Sequence, residues 1–216
     1  MTRTTLIALL VAGSLTAIAG ARGRRQADNT PGSFDYYLLN LSWAPEFCAA
    51  HAGNVSSSEC DPAHHFGFIV HGLWPENHDG SYPQDCGTSS PVAQPIVQHM
   101  LPIMPNRGLI QHEWSRHGTC TGLATQDYFK QVETAFRKVQ IPQEYRNPTS
   151  GIRASPSEIE QEFAKANNAP ADAFRVVCSR SDLEVEVCLT KDLQYRQCGE
   201  GLGDCRAGLL TLPPVR

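Results

Sequence analysis

Three histidines and a glutamate stand in two segments unlike their surroundings: IVHGLWP with His71, and QHEWSRHGTC with His112, Glu113 and His117. Imidazole titrates near pH 6.5, so paired histidines are candidates for acid–base work around neutrality. If the second segment is helical, Glu113 and His117, four residues apart, lie one turn apart on the same face. His112 and His117 are five apart, about 140° round such a helix, and cannot close on one metal as the HExxH spacing does. No CxxC occurs, and Ser115 lacks a G-x-S-x-G elbow. Two histidines and a carboxylate permit phosphodiester cleavage through a neighbouring 2′-hydroxyl. That chemistry needs a base, an acid, and cations around the phosphorane. The nucleophile is already tethered to the substrate, so orientation supplies much of the rate. The same residues also fit plainer roles: a His and Trp packed at a strand end, a helix ion pair worth roughly 0.2–0.5 kcal/mol, and a solvated Arg116.

The elements that must hold these groups are read from periodicity. FDYYLLNLSW and FGFIVHGLW carry aromatic and branched residues with partial alternation, which predicts two strands. The second is expected to end at His71, with Gly72 letting the chain turn and Trp74 and Pro75 rigid beside the histidine. Between Val92 and Met104 an apolar run broken by Pro95, Pro102 and Pro105 predicts one short helix ended by proline. Gln126 to Val139 has Phe129, Val132, Phe136 and Val139 at helical steps, with Thr125 as the expected cap. In SPSEIEQEFAKAN, Ser155 caps, Pro156 takes the first helical position, Glu158 completes a capping box, and Ile159 and Phe163 face the core. FRVVCS and LEVEVCLT, joined at Arg180, Ser181 and Asp182, predict an antiparallel hairpin, and RAGLLTLP a further strand. Strands at both ends with helices between them predict a single α+β domain, a central antiparallel sheet with flanking helices.

The chain opens MTRTTLIALLVAGSLTAIAGARGRRQ, with Arg3, an apolar run from Leu6 to Ile18, and small residues at Ala17, Ala19 and Ala21. That pattern predicts a signal peptide over residues 1–21 and a single domain over 22–216. The run is shorter than the roughly 20 apolar residues of a membrane span. All eight cysteines follow it, and an even count in an exported chain predicts disulfides; the order of residues leaves their connectivity open. Secretion or a periplasmic location is the matching expectation. Lys and Arg number 18 against 22 Asp and Glu, a net charge of −4, so no overall positive field holds nucleic acid non-specifically. Any nucleic-acid substrate must be engaged locally, at a site.

HGLWP and HEWSRHGTC together resemble the two signature blocks of the T2 ribonucleases, the transferase-type enzymes of fungi, plants and bacteria. FDYYLLNLSWAPEFC is similar to that family's opening strand, and VVCSRSDLEVEVCL with the QC and DC that follow resembles its closing cysteine-bearing strands. The resemblance implies an α+β fold and metal-free cleavage of single-stranded RNA through a 2′,3′-cyclic phosphate to 3′-phosphate ends. No cofactor, no membrane partner and a monomeric state are the matching expectations. By position, it makes His71 the acid, His117 the base and Glu113 the carboxylate that stabilises the transition state. His112 matches a phosphate-holding histidine, and Arg116 stands where lysine is frequent. Trp74 and Tyr82 match positions that stack on or flank a base, with Glu76 in place of an aspartate. Leu109 and Ile110 replace an aromatic pair. The same likeness pairs Cys86 with Cys120, Cys178 with Cys205, Cys188 with Cys198, and Cys48 with Cys60. Two other classes compete: an inactive secreted binding protein on this fold, and a metal-dependent hydrolase using the many histidines.

Overall fold

The computed structural model describes residues 28–51, 58–61, 63–179 and 182–215. The expected signal peptide, and the Arg180 and Ser181 of the hairpin turn, lie outside the described residues. The alternation in FDYYLLNLSW becomes β1 (Tyr36–Trp43), which runs directly into α1 (Ala44–Ala50) through Pro45. β2 (Phe68–Glu76), β4 (Phe174–Cys178) and β5 (Leu183–Leu189) join it in an antiparallel sheet of order β2-β1-β5-β4. β2 is therefore an edge strand, where Pro75, which has no N–H to donate, is tolerated.

Alternation sorts β1 into two faces. Tyr37, Leu39, Leu41 and Trp43 enter the main core with Val70 and Leu73 of β2 and Val185 and Val187 of β5. That core is closed by α2 (Gln94–Met100), α3 (Arg107–Arg116), α4 (Thr125–Lys138) and α5 (Pro156–Asn167), which contribute Met100, Trp114, Phe129, Val132, Ile159 and Phe163 among others. On the opposite face Tyr36 and Leu38 pack with Cys188 and Leu202, while Asn40 and Ser42 carry polar side chains toward Glu184.

α5 has the expected capping box between Ser155 and Glu158, with Pro156 in its first turn. Two readings of element bounds are corrected. Thr125 is the first residue of α4 rather than its cap; Ala124 holds that position and no side chain caps it. β2 does not stop at His71 but continues to Glu76. The strand in RAGLLTLP is β6 (Leu210–Leu212), which leaves the main sheet to pair with β3 (Ile152–Ala154). All four disulfides have the partners the family resemblance implied: Cys48–Cys60, Cys86–Cys120, Cys178–Cys205 and Cys188–Cys198.

Candidate active site

β2 pairs with β1 at Asn40↔Gly72 and then at Leu41↔Val70, which leaves His71 as the extra residue of a β-bulge. A bulge releases one residue from the alternation of its strand and re-aims its side chain. His71 is thus freed from a fixed cross-strand neighbour, and its side chain is 34% exposed. Gly72 serves clearance rather than turning: a Cβ there would lie 2.0 Å from Glu113 Oε2 and 2.3 Å from Trp74 Nε1.

α3 begins at Asn106, whose Oδ1 accepts hydrogen bonds from the backbone N–H groups of Gly108 and Leu109. Its inner face carries Ile110, Glu113 and Trp114. Glu113 is 1% exposed. The helix closes at Arg116, and His117 follows as its C-terminal cap, its backbone N–H donating to the Glu113 carbonyl at 3.0 Å. Gly118 lets the chain turn closely past Trp114, since a Cβ there would approach that indole to 2.4 Å. His117 is buried, 7% exposed.

Trp74 organises the three groups. Its ring stacks on His117 with centroids 5.0 Å apart and meets His71 edge-on at 5.3 Å. Its indole N–H donates to Glu113 Oε2 at 2.7 Å. The other carboxylate oxygen, Oε1, lies 3.8 Å from His71 Nε2. The far side of the His71 ring is also held: Nδ1 lies 2.7 Å from Glu184 Oε1.

Burial sets the proton affinities. It pushes the Glu113 carboxyl up to about 7, against the pull of the His71 charge and the Trp74 hydrogen bond. Burial would also push His71 down, but the hydrogen bond and charge of Glu184, helped by Glu113 and Asp182, outweigh it and raise the imidazole to about 9. The Glu184 carboxyl, despite the upward push of burial, is held below its ordinary 4.5 by His71, Asn40 and Ser42.

The remaining predicted residues sit around this centre at different distances from solvent. His112 is exposed on α3. Arg116, partly exposed, pairs with Asp85 at 3.6 Å and draws Glu113 downward by its charge. Tyr82 is half-buried after β2. Glu76 is 1% exposed, so its carboxylate is not offered to solvent as a base-reading group would be. Of the pair that replaces two aromatics, Ile110 is wholly buried in the core, whereas Leu109 lines a cleft of about 440 Å³ beside His71 with Phe47, Glu59, Asp182 and Glu184. Glu184 was not signalled by the sequence: LEVEVCLT reads only as one strand of a hairpin.

Ribonuclease DdI of Dictyostelium discoideum is 38% identical over 205 residues, covering 85% of this chain and 86% of that one. A ribonuclease of Aeromonas hydrophila is 37% identical over 117 residues, covering 54% of this chain. The chain spans about half the length of that relative and of a probable ribonuclease of Haemophilus influenzae, 52% and 46%. Among solved structures, an RNase-related protein from Calystegia sepium superposes with a TM-score of 0.69 at 21% identity, covering 85% of this chain and 98% of its own. RNase NT, solved with 5′-AMP, gives 0.64 at 18% identity, covering 84% and 99%. These two likenesses establish the fold. The Ribonuclease T2 family itself matches residues 34–198, a span holding β1, both histidine segments and the β4–β5 hairpin, and on that match the chain belongs to the ribonuclease T2 family.

Proposed function

We propose that this protein is an endoribonuclease that cleaves single-stranded RNA by transphosphorylation, with His117 as base, His71 as acid and Glu113 beside them. One observation carries the reading: a single indole, Trp74, touches both imidazoles and hydrogen-bonds the buried carboxyl that faces the second of them. In the first step His117 takes the proton of the 2′-hydroxyl and the 2′-oxygen attacks phosphorus. The bond from phosphorus to the 5′-oxygen breaks, and that oxygen receives the proton of His71 Nε2. The products are a 2′,3′-cyclic phosphate and a 5′-hydroxyl. Hydrolysis then reverses the roles: His71 takes a proton from water, and His117 returns one to the 2′-oxygen, leaving a 3′-phosphate.

The shifted proton affinities suit this division of labour. An imidazole held at about 9 is charged at neutral pH, as an acid must be. A carboxyl near 7 is largely neutral in mildly acidic solution and can donate to a phosphorane oxygen instead of repelling it. Trp74 occupies Oε2, leaving Oε1 to carry that hydrogen. Arg116 adds positive charge at the end of α3, and His112, Trp74 and Tyr82 are proposed to hold the phosphate and flank a base. Glu76, 1% exposed at the end of β2, is given no contact with substrate.

Four disulfides fit an exported protein, secreted or periplasmic, acting as a monomer on RNA. Among the described residues no helix is long and apolar enough to cross a membrane. The test is cleavage of an oligoribonucleotide with one scissile position, with and without excess EDTA, followed by mass analysis. A cyclic phosphate product in both conditions is expected. Cleavage of the same oligomer carrying a 2′-deoxy sugar at that position, at a comparable rate, would overturn the proposal.

A further inference from the structure

His71 escapes the strand register, so something other than β-pairing must fix its ring. The group that does so comes from two strands away. Glu184 lies on β5, opposite Ser42 of β1, and Ser42 in turn lies opposite Ile69 of β2. Glu184 reaches across β1 on the face where Asn40 and Ser42 project. Its Oε1 receives His71 Nδ1 at 2.7 Å and the Ser42 hydroxyl at 3.1 Å, and its Oε2 receives the Asn40 amide at 2.9 Å. Three donors on one carboxylate leave it little freedom to rotate. They also favour its charged form.

An ionised carboxylate accepts hydrogen bonds and donates none, so Nδ1 of His71 must be the donor. The proton that can leave the ring is then the one on Nε2, and Nε2 is the nitrogen facing Glu113 at 3.8 Å. We propose that Glu184 is the positioning residue of the general acid. It clamps Nδ1 of His71 so that the bulged ring presents Nε2–H to the leaving 5′-oxygen, and its charge keeps that proton in place until transfer. This inference rests on the acid role given to His71 above. The charge on Glu184 is not alone around the ring: Glu113 approaches from α3, while Asp182, Glu59 and His51 border the adjoining cleft. Glu184 is the one of these whose carboxylate lies 2.7 Å from the imidazole.

The experiment compares two substrates and two variants. A dinucleotide has a poor leaving group and needs the acid; a nucleoside 3′-(4-nitrophenyl phosphate) leaves without protonation. Glu184→Gln should slow kcat on the dinucleotide by roughly ten- to a hundredfold, part of the span typical of a positioned proton-transfer group. It should change KM little, leave the nitrophenyl ester within about threefold of normal, and move the His71 titration to lower pH. Glu184→Asp should recover part of the loss. Equal losses on both substrates would reduce Glu184 to a structural residue and overturn the inference. His71→Ala separates this from the premise: if it too loses both substrates equally, the acid role of His71 fails, whereas selective loss with His71→Ala but not with Glu184→Gln defeats the positioning role alone. Should Glu184→Gln fold poorly, nitrogen-15 NMR of the wild-type histidines decides. His71 should titrate well above its ordinary range with Nδ1 protonated throughout, and a titration midpoint below 7 or an unprotonated Nδ1 would overturn the inference.

Discussion

The carboxylate of Glu113 occupies the space that a side chain on Gly72 would fill: a Cβ built on that glycine would lie 2.0 Å from Glu113 Oε2. Gly72 is therefore a specificity requirement of the site rather than of the backbone, since its strand conformation needs no glycine. The Trp74–Glu113 hydrogen bond of 2.7 Å passes over it. Gly72→Ala should displace Glu113, lower kcat by about tenfold or more, and cost roughly 1–3 kcal/mol as overpacking does. Thermal melts and steady-state kinetics on this variant check both. A fully active, equally stable Gly72→Ala would mean that Glu113 is free to sit elsewhere.

Stability should depend on pH in a direction set by the same groups. Glu113 is raised from 4.5 to about 7 and Glu59 likewise, in both cases mainly by burial, while His71 is raised from 6.5 to about 9 by Glu184 against the opposing effect of burial. A raised folded-state value means that the native protein binds the proton more tightly than the unfolded chain. The stability it contributes is complete below the unfolded value and is lost as pH climbs through the folded one. The carboxyls lose theirs between about 4.5 and 7, and His71 loses its own between about 6.5 and 9. Glu184 works oppositely, since its lowered value removes stability as the solution becomes more acidic than pH 4.5. Tm should therefore peak in mildly acidic buffer and fall toward pH 9. Glu113→Gln should flatten the segment between 4.5 and 7, and a wild-type Tm that rises steadily from pH 5 to 9 would contradict these assignments.

What the sequence announced and what it concealed divide along a physical line. His71, Glu113 and His117, which gather around Trp74, were singled out by two blocks that resemble a family signature, since each residue alone also fits a plainer role; the capping box of α5 was legible because it depends on neighbours three residues apart. The bulge at His71 was not, because FIVHGLWP is compatible both with a strand that stops and with one that continues past an extra residue. Glu184 lies 113 residues from His71, on a strand legible in the sequence only as half of a hairpin, and only the β5–β1–β2 register brings the two together. β3 was missed because three residues are too few to show a period. The disulfide partners followed from family likeness, not from the spacing of cysteines.

The bridge Cys86–Cys120 joins the segment after β2 to the 3₁₀ turn Gly118–Thr121, immediately beyond His117. Asp85 reinforces the junction, its backbone N–H donating to the Arg116 carbonyl at 2.8 Å. Replacing both cysteines with serine should cost about 2–5 kcal/mol, the usual range for a native bridge in a secreted domain. Activity should fall further than the loss of Cys48–Cys60 causes, because Cys48–Cys60 ties α1 to the 3₁₀ turn Ser58–Cys60 rather than anchoring His117. Melts and kinetics of the two double variants, side by side, make the comparison; equal loss of activity in both would deny Cys86–Cys120 a special place.

The shape of kcat/KM against pH tests the acid, the base and the carboxyl together. His117 must be neutral to accept the 2′-hydroxyl proton, which gives the acid limb, and His71 must be charged to protonate the leaving oxygen, which gives an alkaline limb. With His71 held at about 9, that second limb alone would leave activity high well above neutrality. Glu113 intervenes: if its neutral form donates to the phosphorane, its ionisation near 7 ends activity first. The wild-type profile should therefore turn down near pH 7 rather than 9. Glu113→Gln, which stays neutral but is a weaker donor, should have a lower maximum and an alkaline limb moved outward toward the His71 value. Removing the carboxyl also removes a negative charge that helps hold the His71 proton, so the displaced limb should settle somewhat below 9. His71→Ala added to Glu113→Gln should abolish that outer limb, and His71→Ala alone should lose about two to four orders of magnitude on a substrate with a poor leaving group. If the alkaline limb of Glu113→Gln stays where the wild-type limb lies, Glu113 acts as an anion throughout, and its proposed donation to the phosphorane is wrong.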